Sequence, residues 1–104
     1  MKIGLSVSAA ILIGCLASAS AVAGDAAAGK AKAAACAGCH GMTGVSVNPL
    51  WPNLAGQHEQ YLMKQMQAFK SGTRTEPTMA AMMAALTEQD MADVAAYFST
   101  QTCK

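Results

Sequence analysis

The sequence predicts an all-α fold of about four helices. Three stretches carry this prediction: an Ala- and Lys-rich segment over 25–37, an apolar face at helical spacing over 58–70, and a run over 87–100 that opens with a capping motif. No segment alternates apolar and polar residues as a half-buried strand does. The pattern is therefore that of a small helical domain.

The first two helices have recognisable ends. Asp25 precedes the first helix, and its carboxylate suits an N-cap. In the second, Leu62, Met66 and Phe69 fall on one apolar face. Between these helices, residues 41–56 hold several Gly and Pro residues, which predicts a loop.

The C-terminal third contains one more clear helix. Residues 73–78 are polar and include Pro77, which predicts a loop, and residues 79–85 suit a short helical turn. Thr87-Glu88-Gln89-Asp90 resembles a capping box, and the helix that follows is predicted to run to about Thr100. The residues expected on its buried face are Met91, Val94, Ala95 and Phe98.

The N-terminus has the three parts of a secretory signal peptide. Met1-Lys2 gives a positive start, Ile3 to Leu16 is almost wholly apolar, and Ala21-Val22-Ala23 supplies an A-x-A end. We therefore expect a signal peptide over 1–23, cleavage, and one mature domain over 24–104 in the periplasm.

Two alternatives for this leader stay open. The apolar stretch is shorter than the roughly 20 residues that span a bilayer, yet it could be retained as an anchor. Leu12-Ile13-Gly14-Cys15 is similar to a bacterial lipobox, in which Cys15 carries a lipid and becomes the new N-terminus. Each alternative still takes the protein out of the cytoplasm.

Charge and size restrict the function of the domain. The chain has seven Lys and Arg residues and six Asp and Glu residues. Lys2 is the charged residue in the predicted leader, so the positive and negative side chains of the domain balance. A nucleic-acid-binding domain needs a basic stripe, which is missing here. A domain this short buries a small core and usually needs a disulfide, a metal or a cofactor to stabilise it.

Two cysteines and a histidine provide that stabilising element. Cys36-Ala37-Gly38-Cys39-His40 is a C-x-x-C-H motif, the attachment signature of haem c. Cysteines three residues apart lie on one turn, so their sulfurs can bond the two vinyl-derived carbons at one porphyrin edge. The adjacent His40 can then ligate the iron. The motif predicts one haem c, held by two thioethers.

Other interpretations of the motif fit less well. A thioredoxin-like dithiol needs a preceding strand, whereas residues 26–35 have helical composition. A zinc site needs a second pair of ligands, and only His58 and Cys103 remain, far apart in the sequence. A disulfide between Cys36 and Cys39 would close a strained small ring.

With the motif at the end of the first helix, the chain resembles class I cytochromes c, and among them the bacterial cytochrome c553 and cytochrome c4 group. The matching segments cover nearly all of 24–104, in the same order and at the same spacing. The resemblance implies the class I cytochrome c fold around one covalently bound haem, in its single-domain form. The segments are Gly24-Asp25, Gly29-Lys30, Cys36-Ala37-Gly38-Cys39-His40-Gly41, Pro52-Asn53-Leu54-Ala55-Gly56-Gln57, Tyr61-Leu62, Lys64-Gln65, Gly72-Thr73-Arg74-Thr75, Leu86-Thr87 with Asp90, and Ala95-Ala96-Tyr97-Phe98.

The resemblance also implies the second iron ligand, a Met from the loop before the last helix. Met79, Met82 and Met83 all stand in this region. Met79 follows Pro77 in a segment expected to be irregular, and in cytochrome c4 domains the ligand precedes the Leu that opens the last helix by seven residues, here Leu86. Met79 is therefore the expected ligand, with Met82 and Met83 as alternatives.

The expected site thus consists of Cys36, Cys39, His40 and Met79, of which His40 and Met79 bind iron. The resemblance further implies that the Pro52 carbonyl accepts a hydrogen bond from the other ring nitrogen of His40. It also implies that Gly29 packs where the first and last helices cross, near Tyr97. His58 is expected to be exposed or capping, and Arg74 either balances a haem propionate or lies on the surface.

These residues imply a protein that carries one electron at a time. Two protein ligands on the iron leave no position for a substrate, so an enzyme is not expected. By resemblance, the partners are respiratory or periplasmic redox proteins that bind transiently. Two alternatives stay open: a haem subunit dedicated to one oxidoreductase, and a sensor with an open iron site. Cys103 predicts a free thiol on a monomer or a disulfide-linked dimer.

Overall fold

The computed structural model describes residues 3–14 and 22–103. Residues 3–14 are exposed and have no regular secondary structure. Cys15, on which the lipid-anchor alternative depends, lies outside the described residues, as do Met1-Lys2 and Ala21. Within the described part of the chain, no helix is both long and apolar enough to cross a bilayer.

The described residues form helices and loops, without a strand. Helix α1, the 3-10 turn and α2 follow one another closely, so they form one helical run and leave four helical units in all. The all-α prediction is confirmed. The elements are α1 (Ala26–Lys32), a 3-10 turn (Ala33–Ala35), α2 (Ala37–His40), α3 (Glu59–Ser71), α4 (Pro77–Ala84) and α5 (Glu88–Ser99).

Two helix starts follow the sequence signals closely. The Asp25 carboxylate accepts hydrogen bonds from the N–H groups of Ala27 and Ala28, at 2.9 and 3.3 Å. At the start of α5, Thr87 and Asp90 form a reciprocal capping box. These bonds satisfy N–H groups that have no partner inside the helix, which fixes where each helix begins.

Helix α4 differs from its prediction, because 73–78 was expected to be a loop and α4 already begins at Pro77. Proline suits the first position of a helix, where no N–H is needed and its fixed φ is already helical. Glu76 caps the helix by accepting a 2.6 Å hydrogen bond from the Met79 N–H. The short helical turn predicted over 79–85 is confirmed, but it begins earlier, so the loop expected through residue 78 and the irregular chain expected around Met79 were wrong.

Helix α5 forms the centre of the core. All its residues from Met91 to Phe98 are buried, and Met91 and Phe98 are the most deeply buried large side chains. Helix α3 packs Leu62, Met66 and Phe69 into the same cluster. The apolar faces predicted for both helices are confirmed.

Helices α1 and α5 meet with almost no side chain between their backbones. A Cβ atom on Gly29 would overlap the carbonyl oxygen of Asp93 and lie 2.9 Å from the Cβ of Tyr97. A Cβ on Gly24 would overlap the carbonyl oxygen of Ala92. The expected packing of Gly29 near Tyr97 is therefore confirmed.

A buried carboxylate connects the same two helices. Asp93 is only 3% exposed and accepts hydrogen bonds from the Asp25 N–H and the Gln89 side chain, both at 2.8 Å. The Lys32 ammonium lies 2.5 Å from Asp93 and 2.9 Å from Asp90. Hydrogen bonds from Lys32 are the main reason that the pKa of each carboxyl is lowered to about 2.

Gly29→Ala is expected to lower the free energy of unfolding by about 1–3 kcal/mol, because the added methyl group must push α1 away from α5. Urea unfolding followed by circular dichroism measures this change. Ala31→Ser, at an exposed position of the same helix, is the control and should stay within about 0.5 kcal/mol of wild type. An unchanged midpoint for Gly29→Ala would show that the two backbones are not in contact.

The lowered pKa of Asp93 also predicts a pH dependence of stability. A carboxyl whose pKa falls from 3.8 to about 2 on folding stabilises the folded state fully above pH 4. This contribution is lost as the pH falls towards 2. The difference in urea midpoint between wild type and Asp93→Asn should therefore be largest above pH 4 and close to zero at pH 2. A difference that stays constant over this range would contradict the ion pair.

Candidate functional site

The C-x-x-C-H motif lies at the end of the first helical run. The His40 N–H donates to the Cys36 carbonyl at 2.9 Å, so the motif is wound as one helical turn. Cys36 is half-buried, Cys39 is exposed, and both thiols are free. Burial is the main cause that raises the pKa of the Cys36 thiol, with a smaller effect of Cys39.

His40 is the buried member of the motif, at 7% exposure. Its Nδ1 lies 2.8 Å from the Pro52 carbonyl oxygen. A carbonyl can only accept, so Nδ1 carries the proton and the lone pair of the neutral ring lies on Nε2. The expected contact between Pro52 and His40 is confirmed, and it leaves Nε2 as the nitrogen that can bind a metal.

The loop between α2 and α3 brings Pro52 to His40 by folding back on helix α5. The Gly44 carbonyl accepts hydrogen bonds from the N–H groups of Leu54 and Ala55, at 2.7 and 3.0 Å. Gly44 has φ +82°, and a Cβ there would lie 2.7 Å from the Ala55 nitrogen and 2.8 Å from the Phe98 ring. Only glycine fits this position without displacing its neighbours.

A second contact holds the start of this loop. The Tyr97 hydroxyl donates a 2.7 Å hydrogen bond to the Met42 carbonyl. Tyr97 was expected only to pack against Gly29, so this additional role was missed. The loop is thus attached to α5 on both sides of the Gly44 turn.

Ser46 and Asn53, to which the sequence assigned no role, cross-link the same loop. The Ser46 N–H donates to the Asn53 side-chain oxygen at 2.7 Å. The Ser46 hydroxyl lies 3.1 Å from the Cys39 carbonyl and 2.9 Å from the Asn48 carbonyl. Ser and Asn next to Pro often bond to nearby backbone in this way, so the run Ser46 to Pro49 contained a signal for it.

The three candidate methionines occupy different environments. Met83 is 2% exposed and belongs to the core, whereas Met82 is 38% exposed. Met79 is half-buried and packs against the same core cluster as Cys36. Met79 and Cys36 therefore both pack against the hydrophobic core cluster.

The remaining candidate residues lie at the surface. His58 is the exposed N-cap residue of α3, but its side chain makes no capping bond. The Arg74 guanidinium lies 4.4 Å above the centre of the Phe69 ring and donates to Gln65 at 2.9 Å. The Cys103 sulfur lies 2.7 Å from the Ala55 carbonyl.

Comparison with known proteins places this arrangement in a family. Residues 26–102 match the family model for cytochrome c. The chain belongs to the cytochrome c family. Its cofactor is accordingly covalent haem c, and the C-x-x-C-H motif of Cys36, Cys39 and His40 fits that cofactor. The chain offers two unpaired thiols in one helical turn and an imidazole whose Nε2 can accept iron.

Two relatives and one solved structure show which members of the family this chain is similar to. Cytochrome c4 from Pseudomonas aeruginosa is 56% identical over 79 residues, which cover 76% of this chain and 39% of that protein. Cytochrome c-554(548) from Halomonas halodenitrificans is 43% identical over 82 residues, which cover 76% of this chain and 99% of that protein. The crystal structure of reduced recombinant cytochrome c4 from Pseudomonas stutzeri has a TM-score of 0.74 at 46% identity, over 77% of this chain and 47% of that one.

These comparisons confirm the class I cytochrome c fold expected from the sequence. The chain spans about two fifths of the length of the P. aeruginosa cytochrome c4. It spans almost all of the H. halodenitrificans cytochrome. The family model itself covers the region from α1 to α5.

Proposed function

We propose that this chain is a one-electron carrier whose single haem c is bonded to Cys36 and Cys39, with His40 and Met79 as iron ligands. One observation carries the proposal. The buried His40 ring donates from Nδ1 to the Pro52 carbonyl, which leaves Nε2 for iron within an intact C-x-x-C-H motif. When bound, the haem supplies an iron that changes between the ferrous and ferric states.

The protein ligands have separate roles in this proposal. His40 is held in one orientation by Pro52, which also makes Nε2 more basic. Met79 supplies a thioether, a ligand that raises the reduction potential. With His40 and Met79 both bound to the iron, no position would be left for a substrate, so we propose no enzymatic activity.

Met79 is favoured over its neighbours by burial. A ligand side chain must reach the haem without leaving a gap in the core, and the half-buried Met79 packs beside the cluster that contacts Cys36. Met83 already fills that core at 2% exposure, and Met82 is 38% exposed. The backbone of Met79 is fixed by Glu76, which holds this turn of α4 in place.

The surface beside the motif suggests how partners bind. Residues 33–58 contain no Asp, Glu, Lys or Arg. Within this segment Val47 is fully exposed and Leu50 is 82% exposed. We propose that a monomer of this protein meets respiratory or periplasmic redox proteins here, through a small and transient interface of under about 1,200 Å². Charge contributes little to steering this encounter.

We also propose export to the periplasm with cleavage before Gly24. The close packing of the chain on α5 begins around this position: the Ala23 carbonyl accepts from the Gln89 side chain at 2.9 Å, Gly24 packs against α5, and the Asp25 N–H bonds to Asp93. Residues 3–14 are exposed instead. A chain that starts at Gly24 keeps every contact of α1 with α5.

The exported protein should contain one thiol that can be alkylated after denaturation, that of Cys103, because Cys36 and Cys39 are then thioethers. Mass spectrometry should give residues 24–104 with one haem and one alkyl group, and Cys103→Ser should take up none. Three alkyl groups and no haem would contradict covalent attachment. The added mass of a lipid or of the leader would contradict cleavage before Gly24.

Met79→Ala should abolish the weak absorption band near the red end of the ferric spectrum, which marks a bond between Met sulfur and iron. The ferrous variant should bind carbon monoxide readily at neutral pH, and its reduction potential should fall. Met82→Ala is the matched control and should keep the band. Met83→Ala should also keep it, but lose about 2–5 kcal/mol of stability because Met83 is buried.

Two results would contradict parts of this proposal. Loss of the band in Met82→Ala or Met83→Ala, but not in Met79→Ala, would show that the ligand is wrongly assigned. A wild-type protein that lacks the band and binds carbon monoxide readily would have an open iron site, which contradicts the carrier function itself.

A further inference from the structure

We infer that Ser46 and Asn53 are positioning residues for the iron ligand His40. They hold the Pro52 carbonyl against Nδ1 of His40 and thereby control how basic Nε2 is. The inference rests on the proposed function, because the basicity of Nε2 matters only if His40 ligates the haem iron.

The contacts around these residues form a closed ring. The His40 Nδ1 donates to Pro52 at 2.8 Å, and the next residue, Asn53, accepts from the Ser46 N–H at 2.7 Å. The Ser46 hydroxyl shares its one proton between the carbonyl of Asn48, at 2.9 Å, and that of Cys39, at 3.1 Å, whose peptide bond leads back to His40. Every link is a peptide bond or one hydrogen bond, so the position of the Pro52 oxygen is fixed through Ser46 and Asn53.

Few side chains of the protein itself pack against this part of the loop. Pro52 and Asn53 are exposed, and so are the neighbouring Leu50 and Trp51, at 82% and 42%. A segment with few buried apolar contacts opens locally at low cost unless hydrogen bonds restrain it. The bond from Ser46 to Asn53 is such a restraint, and it spans the loop directly beside the acceptor.

Other anchors lie on both sides of Pro52. Before it, Asn48 accepts from the N–H groups of Leu50 and Trp51, at 2.9 and 3.1 Å. Gly44 accepts from Leu54 and Ala55, which follow Asn53 in the chain. These bonds fix where the loop returns to α5. The orientation of the Pro52 carbonyl still depends on the stretch before it, from Ser46 onward. Ser46 contacts that stretch through Asn48, whose N–H donates to the Ser46 hydroxyl at 3.2 Å.

A well-aligned acceptor on Nδ1 makes the imidazole a stronger donor to iron, which favours the ferric state. A loosened Pro52 carbonyl weakens this effect. Ser46→Ala and Asn53→Ala should therefore raise the reduction potential. The same loss should expose the Nδ1 proton of His40 to solvent more often.

The test uses four variants of the full haem-loaded protein. Ser46→Ala and Asn53→Ala each open one link of the ring, and Ser46→Thr keeps the hydroxyl as the conservative rescue. Ser99→Ala is the matched control, because the Ser99 hydroxyl also donates to a backbone carbonyl, that of Ala96 at 2.9 Å. Ser99 is half-buried, as Ser46 is.

Two quantities are measured: the reduction potential, and the exchange rate of the His40 Nδ1 proton with solvent in the ferrous protein by nuclear magnetic resonance. In Ser46→Ala and Asn53→Ala the potential should rise and the proton should exchange roughly two- to tenfold faster, the factor that one neutral hydrogen bond contributes. Ser46→Thr and Ser99→Ala should match wild type in both quantities.

Wild-type potential and exchange in both Ser46→Ala and Asn53→Ala would overturn the inference and leave the proposed function intact. A lower melting temperature without a change in either quantity would also overturn it, since the role would then be only structural. If Asn53→Ala does not fold, Ser46→Ala decides alone, because it keeps the backbone bond to Asn53. A wild-type protein in which His40 does not bind haem iron would overturn both proposals together.

Discussion

Helices α1 and α5 approach each other until their backbones touch, and glycine occupies the contact positions Gly24 and Gly29 on one side. This close approach places the Asp25 N–H and the Lys32 ammonium within reach of Asp93, a buried charge that on its own helix has the Gln89 amide as a partner but no cation. Because α1 continues through the 3-10 turn into the haem motif, the contact also fixes where the motif begins relative to the core.

Helix α5 also supports the loop that carries Pro52. Tyr97 holds the Met42 carbonyl, the Phe98 ring lies against Gly44, and the Phe98 carbonyl accepts from Gly56 at 2.9 Å. His40 is positioned by the helical run that packs on α5, and Pro52 is positioned by the loop that is hydrogen-bonded to α5. The bond between His40 and Pro52 joins two segments that both rest on α5, which explains how an exposed loop can hold a buried ring.

Helix starts could be predicted because their signals are local. Asp25 and the Thr87 capping box act on N–H groups within three residues, and the C-x-x-C-H motif is defined by spacing alone. Pro77 was misread because proline ends a helix in one context and begins one in another, and the Glu76 cap decides between them.

Partners that are distant in the sequence were not predictable from its pattern. Asp93 lies on a helix face that is otherwise apolar, and its ion-pair partner Lys32 is 61 residues away. Ser46 and Asn53 pair only because the loop folds back on itself. The contact between Pro52 and His40 was expected only from resemblance to a family, since no local rule joins a proline carbonyl to a ring twelve residues earlier.

The hydrogen bond between Asp25 and Asp93 spans 68 residues, almost the whole domain. Contacts of such separation require closure of a long loop, so they form late in folding. During synthesis α1 emerges before α5, and the two cysteines are complete well before the helix that packs against α1. The thiols therefore stay open to chemistry on a partly folded chain, and the arrival of the last helix closes the core over Cys36.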